Sequence, residues 1–208
     1  MGRTVVGYLG ANGLNNMASA SPTGSVEALT NTPISTGLVV GDFRELTAGQ
    51  AKTYSYTTPT TAYPWGQLYD GVYMWVKLDP AVTTDPIPLG TAVSWLASSE
   101  DGSSPTSVTT FNSTTNADFA GISIDSNFGA THPYAFIQLK GKVKALFDAT
   151  PATAFADVIS LSTGTQGAVT KSGASNNAVN GLTVGLALEV GTASVRNLIR
   201  ITRSQGRY

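Results

Sequence analysis

The side chains that could carry chemistry are few in this sequence, and they are scattered along it. His132 is the single histidine, and it lies in Thr131-His132-Pro133-Tyr134, directly before an apolar run. As a catalytic base it would need a nucleophile and an orienting carboxylate, and no nucleophile-elbow sequence occurs. We therefore predict that His132 is a turn residue.

Acidic residues supply two further candidates. The segment Asp125-Ser126-Asn127-Phe128-Gly129 begins like a calcium loop, but it lacks the third ligand and the distal glutamate, so we interpret it as an Asx-type turn. Glu100, Asp101 and Asp118 could form a carboxylate pair for glycoside cleavage, although nothing in the sequence sets their separation.

Metal and cofactor sites of the familiar kinds are not predicted. The chain has no cysteine and one histidine, which excludes zinc sites built from nitrogen or sulfur ligands. The glycine patterns that cradle phosphates are also absent. We therefore expect no catalytic residue, no metal and no cofactor.

Two groups of residues could instead bind a partner. The first is aromatic and contains Tyr54, Tyr56, Tyr63, Trp65, Tyr69, Tyr73, Trp75 and Trp95. Aromatic faces stack on sugars or anchor a protein partner, but packing in a core is the commoner role; within the group, Tyr63 and Trp65 in a proline-containing loop are the predicted contacts. The second is the basic series Arg196, Arg200, Arg203 and Arg207, which could pair with carboxylates of a neighbour or simply be solvated.

Composition limits the classes of partner. Only 12% of the 208 residues are charged, and 12 Lys and Arg against 13 Asp and Glu give a formal net charge of -1. A protein that binds nucleic acid along its surface normally has a basic excess, so we expect no nucleic-acid partner. No segment approaches the roughly 20 apolar residues that cross a bilayer, and the first nine residues are a poor signal peptide. We expect a cytoplasmically made protein without a membrane partner.

Short apolar segments separated by turn signals predict an all-β fold. In residues 72–78, Val72, Met74, Val76 and Leu78 share one face, and Tyr73, Trp75 and Lys77 share the other. In residues 134–146, Ile137, Leu139 and Val143 are predicted on one face, and Gly141 lies where a bulge or bend would fit. Further strands are predicted at 38–46, 52–57, 89–96, 119–124, 157–161, 167–169, 184–190 and 195–201.

These segments together predict an antiparallel β-barrel or β-sandwich. Thr47-Ala48-Gly49-Gln50 would join the first two strands as a hairpin, and residues 151–158 are the main helix candidate. Residues 10–37 are rich in Gly, Asn, Ser, Ala and Thr and have no sustained period. We therefore predict an extended N-terminal arm over residues 1–37 and a β-rich domain over residues 38–208.

The order of the motifs adds a resemblance. Six short apolar motifs occur in this order: Gly71-Val72-Tyr73-Met74-Trp75-Val76-Lys77, Pro88-Leu89-Gly90-Thr91-Ala92-Val93, Phe119-Ala120-Gly121-Ile122, Tyr134-Ala135-Phe136-Ile137-Gln138-Leu139-Lys140-Gly141, Gly167-Ala168-Val169 and Val184-Gly185-Leu186-Ala187-Leu188. Over about residues 70–201 this resembles the head decoration, or cement, proteins of tailed bacteriophages. One departure is Asp157-Val158-Ile159, where that family would have a Gly-Asp pair before the strand.

The resemblance implies a non-enzymatic virion protein. Such a protein would lie on the outer capsid surface, bind the major capsid protein, tie coat subunits together, often as a homotrimer, and assemble in the host cytoplasm. A minor head or tail protein would have the same sequence features. A carbohydrate-binding domain of a fibre or spike remains an alternative if Trp65, Trp75 or Trp95 is exposed in one groove, and a small β-fold hydrolase would use carboxylates such as Asp118.

Overall fold

A computed structural model describes residues 40–41, 43–55, 67–96, 107–110, 118–149, 153–173 and 178–202. The described part of the chain is nearly all β, which confirms the all-β prediction. The predicted arm, its boundary at residues 37 and 38, and Tyr63, Trp65, Arg203 and Arg207 lie outside the described residues. No helix in the described ranges is long and apolar enough to span a membrane.

Ten strands and one helix are described. The strands are β1 Phe43–Leu46, β2 Gly71–Leu78, β3 Ala92–Trp95, β4 Ser107–Thr110, β5 Phe119–Ser123, β6 Tyr134–Leu146, β7 Val158–Ser162, β8 Val169–Lys171, β9 Ala178–Ala187 and β10 Arg196–Ile201. The helix, α1, is Ala48–Tyr54.

Five of these strands close into a barrel in the order β2-β4-β3-β5-β6, because β6 pairs with both β5 and β2. Nine of the ten pairings between described strands are antiparallel; the exception is β2 with β4, in which Lys77 lies opposite Ser107. The predicted antiparallel barrel is therefore confirmed with one parallel pair. Strand β1 pairs with the first half of β2, residues 71–74, whereas β4 pairs with the last two residues of β2.

The remaining strands continue from the second half of β6 in the order β10-β9-β7-β8. We call these four strands, together with the second half of β6, the second sheet. An isolated parallel β-bridge between Phe147, the residue after β6, and Val169 of β8 connects the far edge of this sheet to the end of β6. The sheet is tied to the barrel by the Ala92 N–H, which donates to the Gly167 carbonyl at 2.7 Å. Both halves of the fold therefore share β6, which is the longest described strand.

Two hydrophobic clusters lie on the two sides of β2. Met74, Val76 and Leu78 point into the barrel, as their predicted shared face requires. Tyr73 and Trp75 point the other way and are also buried, at 0% and 1% exposure, in a cluster that the second sheet covers. Both faces of this strand are therefore dry, which explains why its sequence is almost continuously apolar.

A bulge in β6 changes which residues face each cluster. Leu139 is the extra residue between the pairs Val72–Lys140 and Tyr73–Gln138. Gly141, two residues later, has φ +100°, so the irregularity predicted at Gly141 is present, but the extra residue of the bulge is Leu139. A one-residue slip moves every later side chain to the opposite face. The prediction that Val143 shares a face with Ile137 and Leu139 is therefore wrong: Val143 belongs to the second cluster.

The predicted hairpin around residues 47–50 is also wrong. Thr47 is the N-cap of α1: the backbone N–H of Gln50 donates to its hydroxyl at 3.4 Å, and its own N–H donates to Gln50 Oε1 at 2.9 Å. This reciprocal capping box turns the chain into a helix where we expected a β-turn. The predicted helix at 151–158 is not formed either, because residues 153–157 form a loop and Val158 begins β7.

Candidate interaction surface

The outward side of the second sheet is the most distinctive surface in the described part of the chain. In β10, Asn197, Ile199 and Ile201 point inward, so Arg196, Leu198 and Arg200 point outward. In the second half of β6, Lys142, Lys144 and Leu146 point outward because Val143 and Ala145 are buried. We call this surface, with Leu186, Leu188 and Val158 beside it, the basic sheet face.

Cations and aliphatic side chains are interspersed across this face, with one cation–cation pair, Arg200 and Lys142. Between β6 and β10, Arg196 lies opposite Leu146, Leu198 opposite Lys144, and Arg200 opposite Lys142. Leu186 of β9 lies opposite Arg200 and, on its other side, opposite Val158 of β7. Side chains directly opposite each other on neighbouring strands are about 5 Å apart at Cβ, so the basic and apolar groups form one continuous surface.

The charges on the basic sheet face are only partly neutralised. Asp70 lies 3.5 Å from Lys142 Nζ, and the Glu189 Oε1 accepts the Leu198 backbone N–H at 2.6 Å. Lys144, Arg196 and Arg200 form no ion pair with any of the described residues. Like charges at opposed positions, as in Arg200 and Lys142, reduce sheet stability. The arrangement therefore favours an anionic partner.

Tyr69 lies at the edge of the same surface. Burial raises the pKa of the Tyr69 phenol, the negative charge of Glu189 raises it further, and the positive charge of Arg196 acts in the opposite sense. The ring is half-buried. Tyr69 therefore adds an aromatic group close to both charges.

Exposed large hydrophobic side chains occur on the strands of the second sheet and in the loops beside them. Among the described residues they are Phe155, Val158, Leu186, Val190 and Val195, with exposures of 68%, 42%, 36%, 75% and 46%. Val158 and Leu186 are paired, Phe155 is in the turn before β7, and the other two are in the loop between β9 and β10. Single exposed hydrophobic residues are ordinary, but a group of them indicates an interaction site.

A groove of about 520 Å³ continues this surface at the Arg196 end. Its apolar lining includes Pro86, Pro88, Leu89, Leu146 and Val195. The loop before β3 is held there because the Leu146 N–H donates to the Gly90 carbonyl at 2.8 Å. Gly90 has φ +82°, and a Cβ at this position would approach the Lys144 carbonyl to 2.8 Å, so only glycine fits.

The predicted contact residues are only partly tested by this geometry. Arg196 and Arg200 are exposed on the basic sheet face, and their role in binding stays a prediction. Trp75 and Trp95 are 1% and 5% exposed, so their packing role is confirmed and they cannot stack on a sugar. Lys142 and Lys144 were missed as site residues because the sequence does not show that β6 pairs with β10.

The candidates for catalysis are dispersed. The His132 carbonyl accepts the Gly129 N–H at 3.2 Å, which places His132 in a turn as predicted. Asp125 Oδ1 accepts the Asn127 N–H at 2.8 Å, which confirms the Asx turn, and burial raises the pKa of Asp125 to about 7. Asp118 precedes β5, whereas Glu100 and Asp101 lie outside the described residues. In the described ranges no three His, Cys, Asp or Glu side chains could share a metal ion.

The basic sheet face combines two kinds of chemistry. Its cations suit carboxylates, and its leucines and valines suit apolar groups between those carboxylates. Neither a scan against protein-family models nor a search of curated protein sequences found a match to this chain.

Proposed function

We propose that this chain is a non-enzymatic structural protein of a tailed-phage virion, and that it decorates and stabilises the capsid by bridging coat subunits through the basic sheet face. The observation that carries the proposal is the interspersion of cations and aliphatic groups from Leu146 and Arg196 to Leu186 and Val158. The motif order described above supports the choice of a capsid as the larger assembly.

A coat-protein surface rich in carboxylates would complement this face. Lys144, Arg196 and Arg200 would pair with its carboxylates, while Leu186 and Leu198 would contact the apolar groups between them. Each exposed ion pair contributes only about 0–1 kcal/mol, so a single copy would bind modestly. Because each copy would contact more than one coat subunit, and many equivalent sites would be occupied, the total stabilisation of the capsid would be much larger than that of one contact.

The composition of the face favours protein over nucleic acid as the partner. A phosphate-tracking surface relies on dense positive charge, whereas here Leu146, Leu186 and Leu198 separate the cations. The whole chain also has a formal net charge of -1. A symmetric contact between two copies of the same face is disfavoured as well, because it would bring arginine against arginine.

Capsids that lack this chain provide the test. Purified protein should co-sediment with them and raise their melting temperature. Arg200→Glu should weaken co-sedimentation by at least about tenfold, since it replaces an attraction with a repulsion at the centre of the face. Lys52→Glu makes the same charge change on α1, outside the residues that define the face, and should bind like the wild type.

Two results would contradict the proposal. One is the absence of wild-type binding to capsids at low ionic strength, where surface electrostatics are strongest. The other is an equal loss of binding in Arg200→Glu and Lys52→Glu, which would show that overall charge matters and that the face does not.

A further inference from the structure

Phe155 is the largest exposed apolar side chain among the described residues, and it lies in the turn before β7, whose first residue, Val158, belongs to the basic sheet face. It is 68% exposed, while Phe119, Phe128, Phe136 and Phe147 are all buried. Exposing an aromatic ring forgoes most of the hydrophobic stabilisation that its burial would give. The position therefore calls for an explanation outside the stability of the isolated chain.

The turn that presents Phe155 is fixed on both sides. The Ala154 N–H donates to Asp157 Oδ2 at 2.6 Å, and the Asp157 N–H donates to the Ala154 carbonyl at 3.2 Å. The Ala156 N–H donates to the Ala187 carbonyl at 2.9 Å, which ties the turn to β9. Lys171 Nζ lies 2.8 Å from Asp157 Oδ2, so the carboxylate is also neutralised from β8.

The turn also contains a residue in an unfavourable backbone conformation. Ala156 has φ +67°, in the left-handed region that non-glycine residues rarely occupy. Strain of this kind persists where the surrounding hydrogen bonds determine it, and it often occurs in segments that present a functional group. A rigid turn loses little conformational entropy on binding, so an aromatic ring on such a turn makes an efficient anchor.

We propose that Phe155 is the aromatic anchor of this surface, and that it inserts into an apolar pocket of the same acidic coat-protein surface that the basic sheet face binds. The inference rests on the proposed function and adds to it a specific contact. Phe155 lies three residues before Val158, the first paired residue of β7, and Val158, Leu186 and Arg200 then follow one another across three strands. The partner pocket would therefore lie beyond the β7 side of the carboxylates that would face Arg200.

Two other occupants fit less well. A second copy bound symmetrically through this surface would bring Arg200 and Lys142 close to their own counterparts, which is repulsive. An anionic lipid surface would satisfy the cations and the ring, but the fixed turn and the flat pleated strand beside it suit a shaped protein pocket. Lipid binding is therefore kept as an outcome of the test.

The test compares Phe155→Ala with Phe155→Leu in binding to capsids that lack this chain. Loss of the ring should raise the half-saturating concentration by about 10- to 100-fold, as truncation of an interface hot spot does, and leucine should restore part of the affinity. The urea midpoint should stay unchanged, because the ring is mostly exposed in the free protein. Thr83→Ala, an exposed change in the loop after β2, should bind like the wild type.

A photoreactive benzoylphenylalanine at position 155 tests the contact directly. It should crosslink to the coat protein, and the same group at position 83 should not. If Phe155→Ala binds as tightly as the wild type while Arg200→Glu does not bind, the anchor is wrong and the proposed function stands. If the wild type binds no capsid, both are wrong. If it binds vesicles of phosphatidylserine and phosphatidylcholine, and Phe155→Ala abolishes that binding, the protein pocket is wrong.

Discussion

Replacing Asp125 with asparagine is expected to raise the stability of this protein at pH 8 and to change it little near pH 4. Asp125 is 7% exposed and accepts one backbone N–H, from Asn127. Burial penalises the ionised carboxylate and raises the pKa of Asp125 from 3.8 to about 7 in the folded chain. Asparagine keeps an oxygen for the Asn127 N–H and has no charge to bury.

The sign and size of the effect follow from proton linkage. Between pH 4 and pH 7 the folded chain holds a proton on Asp125 that the unfolded chain has released. The contribution of Asp125 to the free energy of unfolding is therefore fully present below about pH 4 and is lost as the pH rises through about 7. At about 1.4 kcal/mol per pKa unit, the folded wild type loses about 4 kcal/mol from this group by pH 8. The Asp125→Asn variant should not show this loss.

Urea denaturation at several pH values between 4 and 8 and constant ionic strength would measure the effect. The free energy of unfolding of Asp125→Asn minus that of the wild type should grow by about 4 kcal/mol over this range. Contributions from the groups that both proteins share cancel in the difference. A difference that stays constant with pH would refute the reasoning, because it would show that the buried carboxylate does not titrate in this window.

Asp157→Asn is the matched control, because its carboxylate behaves in the opposite way. The contact with Lys171 lowers the pKa of Asp157, with the Ala154 N–H acting in the same sense. The stability that Asp157 contributes is therefore present above its ordinary pKa and is lost only as the pH falls below it. Between pH 5 and pH 8 the difference between Asp157→Asn and the wild type should be constant.

Three further outcomes can be measured on the isolated protein. In chemical denaturation, Gly141→Ala should lower the free energy of unfolding by at least about 2 kcal/mol, because Gly141 has φ +100° and a Cβ there would meet the Asp70 carbonyl. Gly173→Ala should lower it by only about 1 kcal/mol, because Gly173 has φ +76° but open space around it. Trp75→Ala should cost about 3–5 kcal/mol, because the ring is buried edge-to-face on Phe136 at 4.9 Å; a near-neutral result would reopen a binding role for this tryptophan. Arg200→Glu should raise the free energy of unfolding by about 0.2–1 kcal/mol, because it converts a like-charged cross-strand pair with Lys142 into an oppositely charged one. The thermal midpoint should rise accordingly, and a lower midpoint would contradict this.

Local patterns predicted much of the fold because the relevant physics is local. The alternation of Met74, Val76 and Leu78 was sufficient to place them on one face, and the glycine at position 141 was sufficient to expect a bulge. The helix α1 was missed because its capping box, Thr47 and Gln50, occupies the positions that a hairpin turn would use. A seven-residue helix has too little periodicity to outweigh that turn signal.

The candidate surface was only half predictable, for a different reason. The spacing of Arg196 and Arg200 by four residues along a strand places both on one face, and the sequence shows this directly. The contribution of Lys142, Lys144 and Leu186 depends on which strands pair and in which register. Register between β6 and β10 is set by the bulge at Leu139 and by the covered cluster, and neither can be read from a single strand.

The position of the cations argues that the basic sheet face is a product of function. The chain has 12 Lys and Arg residues in 208, and four of them, Lys142, Lys144, Arg196 and Arg200, point outward from two adjacent strands. A low-charge chain has ample room to separate like charges, and separation would stabilise the sheet. Keeping Arg200 opposite Lys142 is understandable if a partner supplies the missing negative charge. Stability in isolation and affinity for the partner should therefore change in opposite directions at position 200, as they do at many binding sites.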